Sequence, residues 1–309
     1  MVHNTPESQR PPFQIQNTFI KTPFEQRFQG PLQDARLQRS WHVLAASPGS
    51  GKSMGIHDFV AHSGAWKEGT GETYMPIVAI RAPLEKQEQA LGMAFSDAFG
   101  PSPSMPFTRR RTWVVNGMAD VHVESIIIDN AHMLSLSHLR YVKELTDALA
   151  APPYHRRIGL CLVVAYSGDM IPLKHGFFDG PDILQRQFLQ LMDAERPFLV
   201  IQDHSEEEVR MILATFEQLY RSQFPHLNLR RWATYIFTSL THPVLDSNGT
   251  RRVPMALLTR FVESALRRVY MQGATDVDES ILQVVTKRMT SRREKIMPND
   301  DEPLDEPLH

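Results

Sequence analysis

The chain has 309 residues, 42% of them hydrophobic and 22% charged, with a formal net charge of −2. This is a globular composition with room for one large domain or two modest ones. It excludes a global basic field drawing the whole molecule to nucleic acid or membrane, so any DNA contact needs a local basic patch. The single cysteine, Cys161 in "IGLCLVVAY", allows neither an internal disulfide nor a Cys-rich metal centre and reads as a small core residue. No apolar run approaches the ~20 residues that span a bilayer. The opening "MVHNTPESQRPPFQIQ" lacks the apolar core of a signal peptide. A soluble, cytoplasmic protein without membrane contact is expected.

In chain order, residues 1–18 are polar, carry prolines and read as a flexible arm. Residues 24–40 read as a helix leading into the strand "WHVLAA" (41–46). The glycine-rich turn "SPGSGKS" (47–53) opens a short helix, "SMGIHDFVAHSG". "MPIVAIRAP" (75–83) is a second buried strand, and 84–100 has helical periodicity ending on glycine. "PSPSMP" is a linker, "FTRRRTWVVNGM" (107–118) a helix, "ESIIIDN" a third strand, and 135–151 a helix stopped by Pro152-Pro153. "IGLCLVVAYSG" (158–168) is a fourth strand and "RPFLVIQD" (196–203) a last one. Strands that are continuous apolar runs alternating with helices predict a parallel sheet covered on both faces.

After residue 204 the pattern changes to amphipathic helices, the first opened by a capping box of Ser205 and Glu208. The end, "MPNDDEPLDEPLH", is acidic and proline-rich, which predicts disorder. The expected organisation is therefore an arm (1–18), an α/β nucleotide-binding domain (19–203), a small all-helical lid (204–290) and a disordered acidic tail (291–309).

The nucleotide assignment comes from Ala46-Ser47-Pro48-Gly49-Ser50-Gly51-Lys52-Ser53, a P-loop with alanine at its first position. Gly49 and Gly51 let backbone N–H groups turn toward phosphate oxygens, and the next helix offers its positive N-terminus. Residues Pro48, Gly49, Ser50, Gly51, Lys52, Ser53 and Met54 form the expected ATP cradle. Lys52 reaches for the outer phosphates, and Ser53 offers a hydroxyl to Mg²⁺. A chance glycine-rich turn is the bland alternative, but this motif follows a strand and opens a helix, the context it requires. In "IIIDNAH", Asp129 ends a buried strand. An unpaired buried carboxylate is costly, and a Mg²⁺ shared with Ser53 would partner it. The alternative is an aspartate capping the next helix. Ser167, with Asp169 second, is the candidate polar tip of the fourth strand; an ordinary turn is the other reading.

P-loop, metal strand, polar-tipped strand and helical lid, in this order, resemble an AAA+ ATPase. More narrowly, "FIKTPFEQ" (19–26), "MPIVAIRAP", "SIIIDNAHML", "VVAYSGDMIPL" and "VPMALLTRFVESALRRV" are similar to stretches of the transposition regulators TnsC, TniB and MuB. The resemblance implies a P-loop AAA+ α/β domain, its parallel sheet flanked by helices, followed by the helical lid. It also implies ATP-dependent self-association into rings or helical filaments on double-stranded DNA, which recruit or activate a transposase at sites chosen by a target-site selector protein.

The chain departs from that family in three places. Asn130 stands where the family has glutamate, and an amide cannot take a proton from water, so slow or impaired hydrolysis is expected. His132 is a candidate substitute base, with a structural role as the heavier reading. Ala46 replaces the first P-loop glycine. Met255 stands where the lid would bring an arginine, leaving Arg251 or Arg252 to serve. By the same resemblance Arg186 is the candidate arginine finger, with Arg196 as runner-up and a plain surface arginine as the alternative. Thr108, Arg109, Arg110 and Arg111 fall in the interval that faces the DNA channel in TnsC-like proteins, where contacts would be to phosphates. A solvated helix face is the competing reading there. Arg156-Arg157 and Arg267-Arg268 are weaker clusters. Two other functions stay open: a turning-over helicase loader or replication initiator, and a nucleotide-gated signalling switch without DNA.

Overall fold

The computed structural model describes residues 13–15, 19–67, 73–100, 104–166, 173, 183–193, 195–246 and 248–294. Two compact units divide the chain, one spanning Lys21–Asp203 and the other running from His204 onward together with the described residues up to Ile20.

The first unit is built on β1 (Trp41–Ala46), β4 (Ile77–Arg81), β5 (Ser125–Asp129), β6 (Gly159–Ala165) and β7 (Phe198–Ile201). They form one sheet in the order β4-β5-β6-β1-β7, and every pairing is parallel. Every residue of β1 and β5 is buried, which is why these strands read as unbroken apolar runs. The pleat sorts their side chains by parity. Val43, Ala45, Ile126 and Ile128 join one core, and Leu44, Ala46, Ile127 and Cys161 join the other.

The first face is covered by α3 (Glu88–Ala98), α4 (Phe107–Asp120), α5 (Leu136–Ala150) and α6 (Ile183–Leu191), through residues such as Phe95, Met118, Leu145 and Phe188. The second face is covered by α1 (Pro23–Gln38) and α2 (Lys52–Ala61), through Phe24, Phe28, Leu32 and Ile56. Pro31 lies inside α1. Helix α1 lies so close to β6 that a Cβ on Gly159 would sit 2.0 Å from the carbonyl oxygen of Ala35, so only glycine fits at the start of that strand. A short antiparallel pair, β2 (Trp66–Lys67) with β3 (Thr73–Tyr74), was not expected from the sequence. Strands of two residues are too short to carry a period.

The second unit is helical: α7 (Glu206–Tyr220), α8 (Ala233–Leu240), α9 (Met255–Met271) and α10 (Glu279–Glu294). The capping box at its start is formed, with Ser205 and Glu208 each accepting a backbone N–H from the other. Its core joins Val209, Phe216, Ile236, Phe261, Leu266 and Ile281. Phe13 stacks on Tyr220 at 6.2 Å, and Ile20 packs on the same core. Helix α10 runs through Glu294, past the boundary at 290 read from the sequence. Residues 295–309, the expected acidic tail, lie outside the described residues. No helix among the described residues is long and apolar enough to cross a membrane.

Candidate nucleotide site

Strand β1 ends at Ala46, the chain turns through residues 47–51, and α2 starts at Lys52. The turn requires left-handed backbone at Gly49 (φ 77°) and Gly51 (φ 107°), which glycine adopts without a Cβ penalty. Gly51 caps α2 without any side-chain hydrogen bond, so the first N–H groups of the helix are left for an anion. Pro48 and Gly49 are exposed, Gly51 is half-buried and Met54 is exposed. The Ser50 hydroxyl is buried and has no hydrogen-bond partner.

Lys52 is only 7% exposed, although it carries the charge of the site. Its Nζ donates to the carbonyls of Ala46 (3.0 Å) and Ser47 (2.7 Å). Burial pulls its pKa below the ordinary lysine value, and the charges of Asp129 and Asp203 partly offset this. Ser53 Oγ donates to Asp129 Oδ2 at 2.6 Å. The other oxygen of Asp129 accepts the backbone N–H of Asn130 at 2.8 Å. Strand pairing brings this about: β6 lies between β1 and β5, so the P-loop and the Asp129 tip emerge at the same edge.

The residues present fit a magnesium–nucleoside triphosphate. A buried ammonium, an orphaned hydroxyl and open helix N–H groups surround one loop, with a hydroxyl–carboxylate pair beside it. Among the described residues no group of three or more His, Cys, Asp or Glu could hold a metal alone. A magnesium ion at Ser53 and Asp129 would therefore lean on phosphate and water oxygens for the rest of its shell.

Asn130 has φ 56°, a left-handed conformation that asparagine tolerates better than most residues, and caps the short turn Ala131–Met133. His132 Nδ1 accepts the Ala165 N–H at 3.5 Å, linking this turn to β6. Burial, followed by the nearby Lys52 charge, holds the His132 pKa below the usual histidine value.

Asp203 was missed by sequence reasoning. It follows the end of β7, is 7% exposed, and accepts a hydrogen bond from Ser47 Oγ of the P-loop. The signal was there, because "FLVIQD" is an apolar run ending on a carboxylate, as "IIID" is.

Ser167 and Asp169 lie outside the described residues. Arg186 is exposed on α6, and Arg196 is exposed with its backbone N–H bonded to Asp193. Arg251, with φ 52°, Arg252 and Met255 belong to the helical unit. Thr108, Arg109, Arg110 and Arg111 sit at the start of α4, where Thr108, Arg109 and Arg111 are exposed and Arg110 is half-buried. Arg111 is ion-paired with Glu144 of α5. Cations in a first helical turn oppose the helix dipole, so this run does nothing for the helix itself.

No family model matches the sequence, and no curated protein matches it. Solved structures do match in fold. Cdc6p from Pyrobaculum aerophilum is 14% identical, with a TM-score of 0.60 over 88% of this chain and 69% of that one. The Aeropyrum pernix ORC2 protein, solved as ADPNP and ADP complexes, is 12% identical with a TM-score of 0.58 over 85% of this chain and 66% of that one. The Aeropyrum pernix ORC1 protein, solved in complex with DNA, is 11% identical with a TM-score of 0.53, covering 87% of this chain and 66% of that one. The chain thus spans about two thirds of the length of each. A five-stranded parallel sheet flanked by helices, a P-loop after β1 and a helical unit later in the chain give this chain the fold of the AAA+ ATPases.

Proposed function

We propose that this chain is an ATP-dependent, DNA-binding regulator of transposition that hydrolyses ATP slowly. It self-associates into a ring or helical filament on double-stranded DNA, where it recruits or activates a transposase and meets a target-site selector. The observation that carries the nucleotide part is the Lys52, Ser53 and Asp129 constellation, with Ser53 Oγ 2.6 Å from the Asp129 carboxylate. When bound, ATP with Mg²⁺ supplies a dense negative charge that adjacent copies can share. Lys52 and the N–H groups of the cradle neutralise that charge, and Ser53 and Asp129 hold the ion. Asn130 orients but cannot accept a proton, so the chain lacks the usual base for activating water. Arg186 is the proposed finger from a neighbouring copy, Ser167 the proposed polar sensor, and Thr108 to Arg111 the proposed phosphate-contacting surface. The transposition assignment rests on the sequence resemblance.

The fold likeness to Cdc6p and ORC proteins favours a second reading, a replication initiator or helicase loader. Electron microscopy with duplex DNA, with and without non-hydrolysable ATP, tests the assembly. Ordered rings or filaments that need both ligands are expected, and single particles under all conditions would remove the reading. Phosphate release separates the two functions, because turnover well above the Lys52→Ala background would favour the initiator class.

A further inference from the structure

The helical unit carries a groove between α9 and α10 of about 920 Å³ that the nucleotide chemistry does not use. Its floor is apolar, made by Leu245, Leu257, Val285 and Met289. Its rim carries six arginines: Arg260, Arg267, Arg268, Arg288, Arg292 and Arg293. Among the described residues Arg293 has a fixed partner, donating to the Leu245 carbonyl at 2.8 Å. Among the described residues none of the other five has a salt-bridge partner. One carboxylate, Glu263, lines the groove beside the six arginines, and burial raises its pKa against the pull of Arg267. Six guanidinium groups around an apolar floor, faced by one carboxylate, form a strongly basic surface. Met271 is 78% exposed at its edge.

The occupant has to bring acids and aliphatic side chains together. A nucleic-acid backbone brings only the acids. Residues 300–308 read "DDEPLDEPL", in which Asp-Glu-Pro-Leu occurs twice, so Leu304 and Leu308 each follow an acidic pair and a proline. We infer that the arginine-rimmed groove between α9 and α10 is the docking site for this chain's own acidic segment, residues 300–308. Leu304 and Leu308 enter the apolar floor, and the five acids Asp300, Asp301, Glu302, Asp305 and Glu306 face the arginines.

The covalent connection favours this occupant. Helix α10 ends at Glu294, one residue beyond the groove residue Arg293. Residues 295–299 can bridge roughly 17 Å when extended, enough to turn back along the groove. A tethered ligand of this kind sees its site at millimolar effective concentration. The prolines limit the conformations lost on docking.

Cysteine cross-linking in the full chain tests the inference, since native Cys161 is buried and does not compete. Ser264, which lines the groove, is replaced in Ser264→Cys/His309→Cys. Gln283, exposed on the opposite side of α10, is replaced in the control Gln283→Cys/His309→Cys. Under mild copper-catalysed air oxidation the groove pair should close an intramolecular disulfide about tenfold faster than the control pair. Raising the salt to 1 M, where the Debye length falls to about 3 Å, should shrink that advantage. Adding Arg267→Glu and Arg288→Glu should abolish it, and adding Asp301→Lys with Asp305→Lys to that chain should restore it. Equal rates for both pairs would overturn the inference. Equal rates together with weakened duplex binding by the Arg267→Glu/Arg288→Glu chain would assign the groove to polyphosphate instead. The cross-linking readouts need no nucleotide, so they stand or fall apart from the proposed ATP chemistry.

Discussion

At the scale of single residues, Lys52 is the most exacting position. Its buried ammonium is held by two carbonyls, which in the proposed function it exchanges for phosphate oxygens. Charge-assisted hydrogen bonds of this kind contribute about 1.5–3 kcal/mol each. Lys52→Ala should therefore weaken ATP binding by roughly 10–100-fold in isothermal titration. Asp129→Asn keeps the hydrogen bond from Ser53 but loses the ionic charge, so it should reduce the magnesium dependence of binding more than binding itself. Asn130 combines the proposed absence of a base with a backbone preference. Asn130→Glu should raise phosphate release by ~10²–10⁴-fold if a missing base is what limits turnover. The same change puts a less tolerant residue in left-handed backbone, and should lower stability by about 1 kcal/mol in thermal melts. A chain that melts earlier yet releases no more phosphate would show that the base is not limiting.

At the scale of elements, α1 decides two things. Its close approach to β6 makes Gly159 indispensable, because the obstacle is backbone rather than a movable side chain. Gly159→Ala should destabilise the chain by roughly 1–3 kcal/mol in denaturant titration as the helix is pushed away. Helix α1 also holds Glu25 against α2. Burial is the main cause, followed by hydrogen bonding to Asp58 and the charge of Asp58, that pushes the Glu25 carboxyl up to about 7. Gln29 Nε2 bridges the pair at 3.0 Å to each carboxylate. A raised carboxyl pKa means that the folded chain keeps a proton the unfolded chain has lost. Stability from this group is full below pH 4.5 and falls as the pH rises toward 7. Glu25→Gln should remove this loss, stabilising the chain by about 1–3 kcal/mol at pH 8 and changing little at pH 4. Melts at the two pH values check it.

At the scale of the whole molecule, a net charge of −2 places any DNA affinity in local surface. The start of α4 offers three arginines, of which Arg111 is already ion-paired to Glu144. Arg109→Ala with Arg110→Ala should weaken duplex binding uniformly across sequences. It should also flatten the slope of log affinity against log salt by about 0.9 for each phosphate that a bound chain no longer neutralises. The proposed self-association would multiply so small a patch, so the effect should be larger for assemblies than for single chains. An unchanged salt slope would move the DNA surface elsewhere.

The sequence by itself determined the architecture of the α/β unit. Its strands are unbroken apolar runs, and only a sheet buried on both faces accommodates them. It also determined the P-loop turn, because glycine spacing states directly which backbone angles are needed. The capping box at Ser205 was legible for a similar reason, since its two partners are three residues apart. The β2–β3 pair was not legible, because two-residue strands carry no period. Nor was the meeting of Asp203 with Ser47, which are 156 positions apart along the chain. Strand order decided that contact, by setting β7 beside β1. The groove between α9 and α10 was likewise a tertiary decision. Arg267-Arg268 and Arg292-Arg293 are ordinary basic pairs in sequence, and only helix packing turns them into one rim. Local chemistry is written in short spacings, whereas the convergence of distant charges is settled by which apolar faces must be buried together.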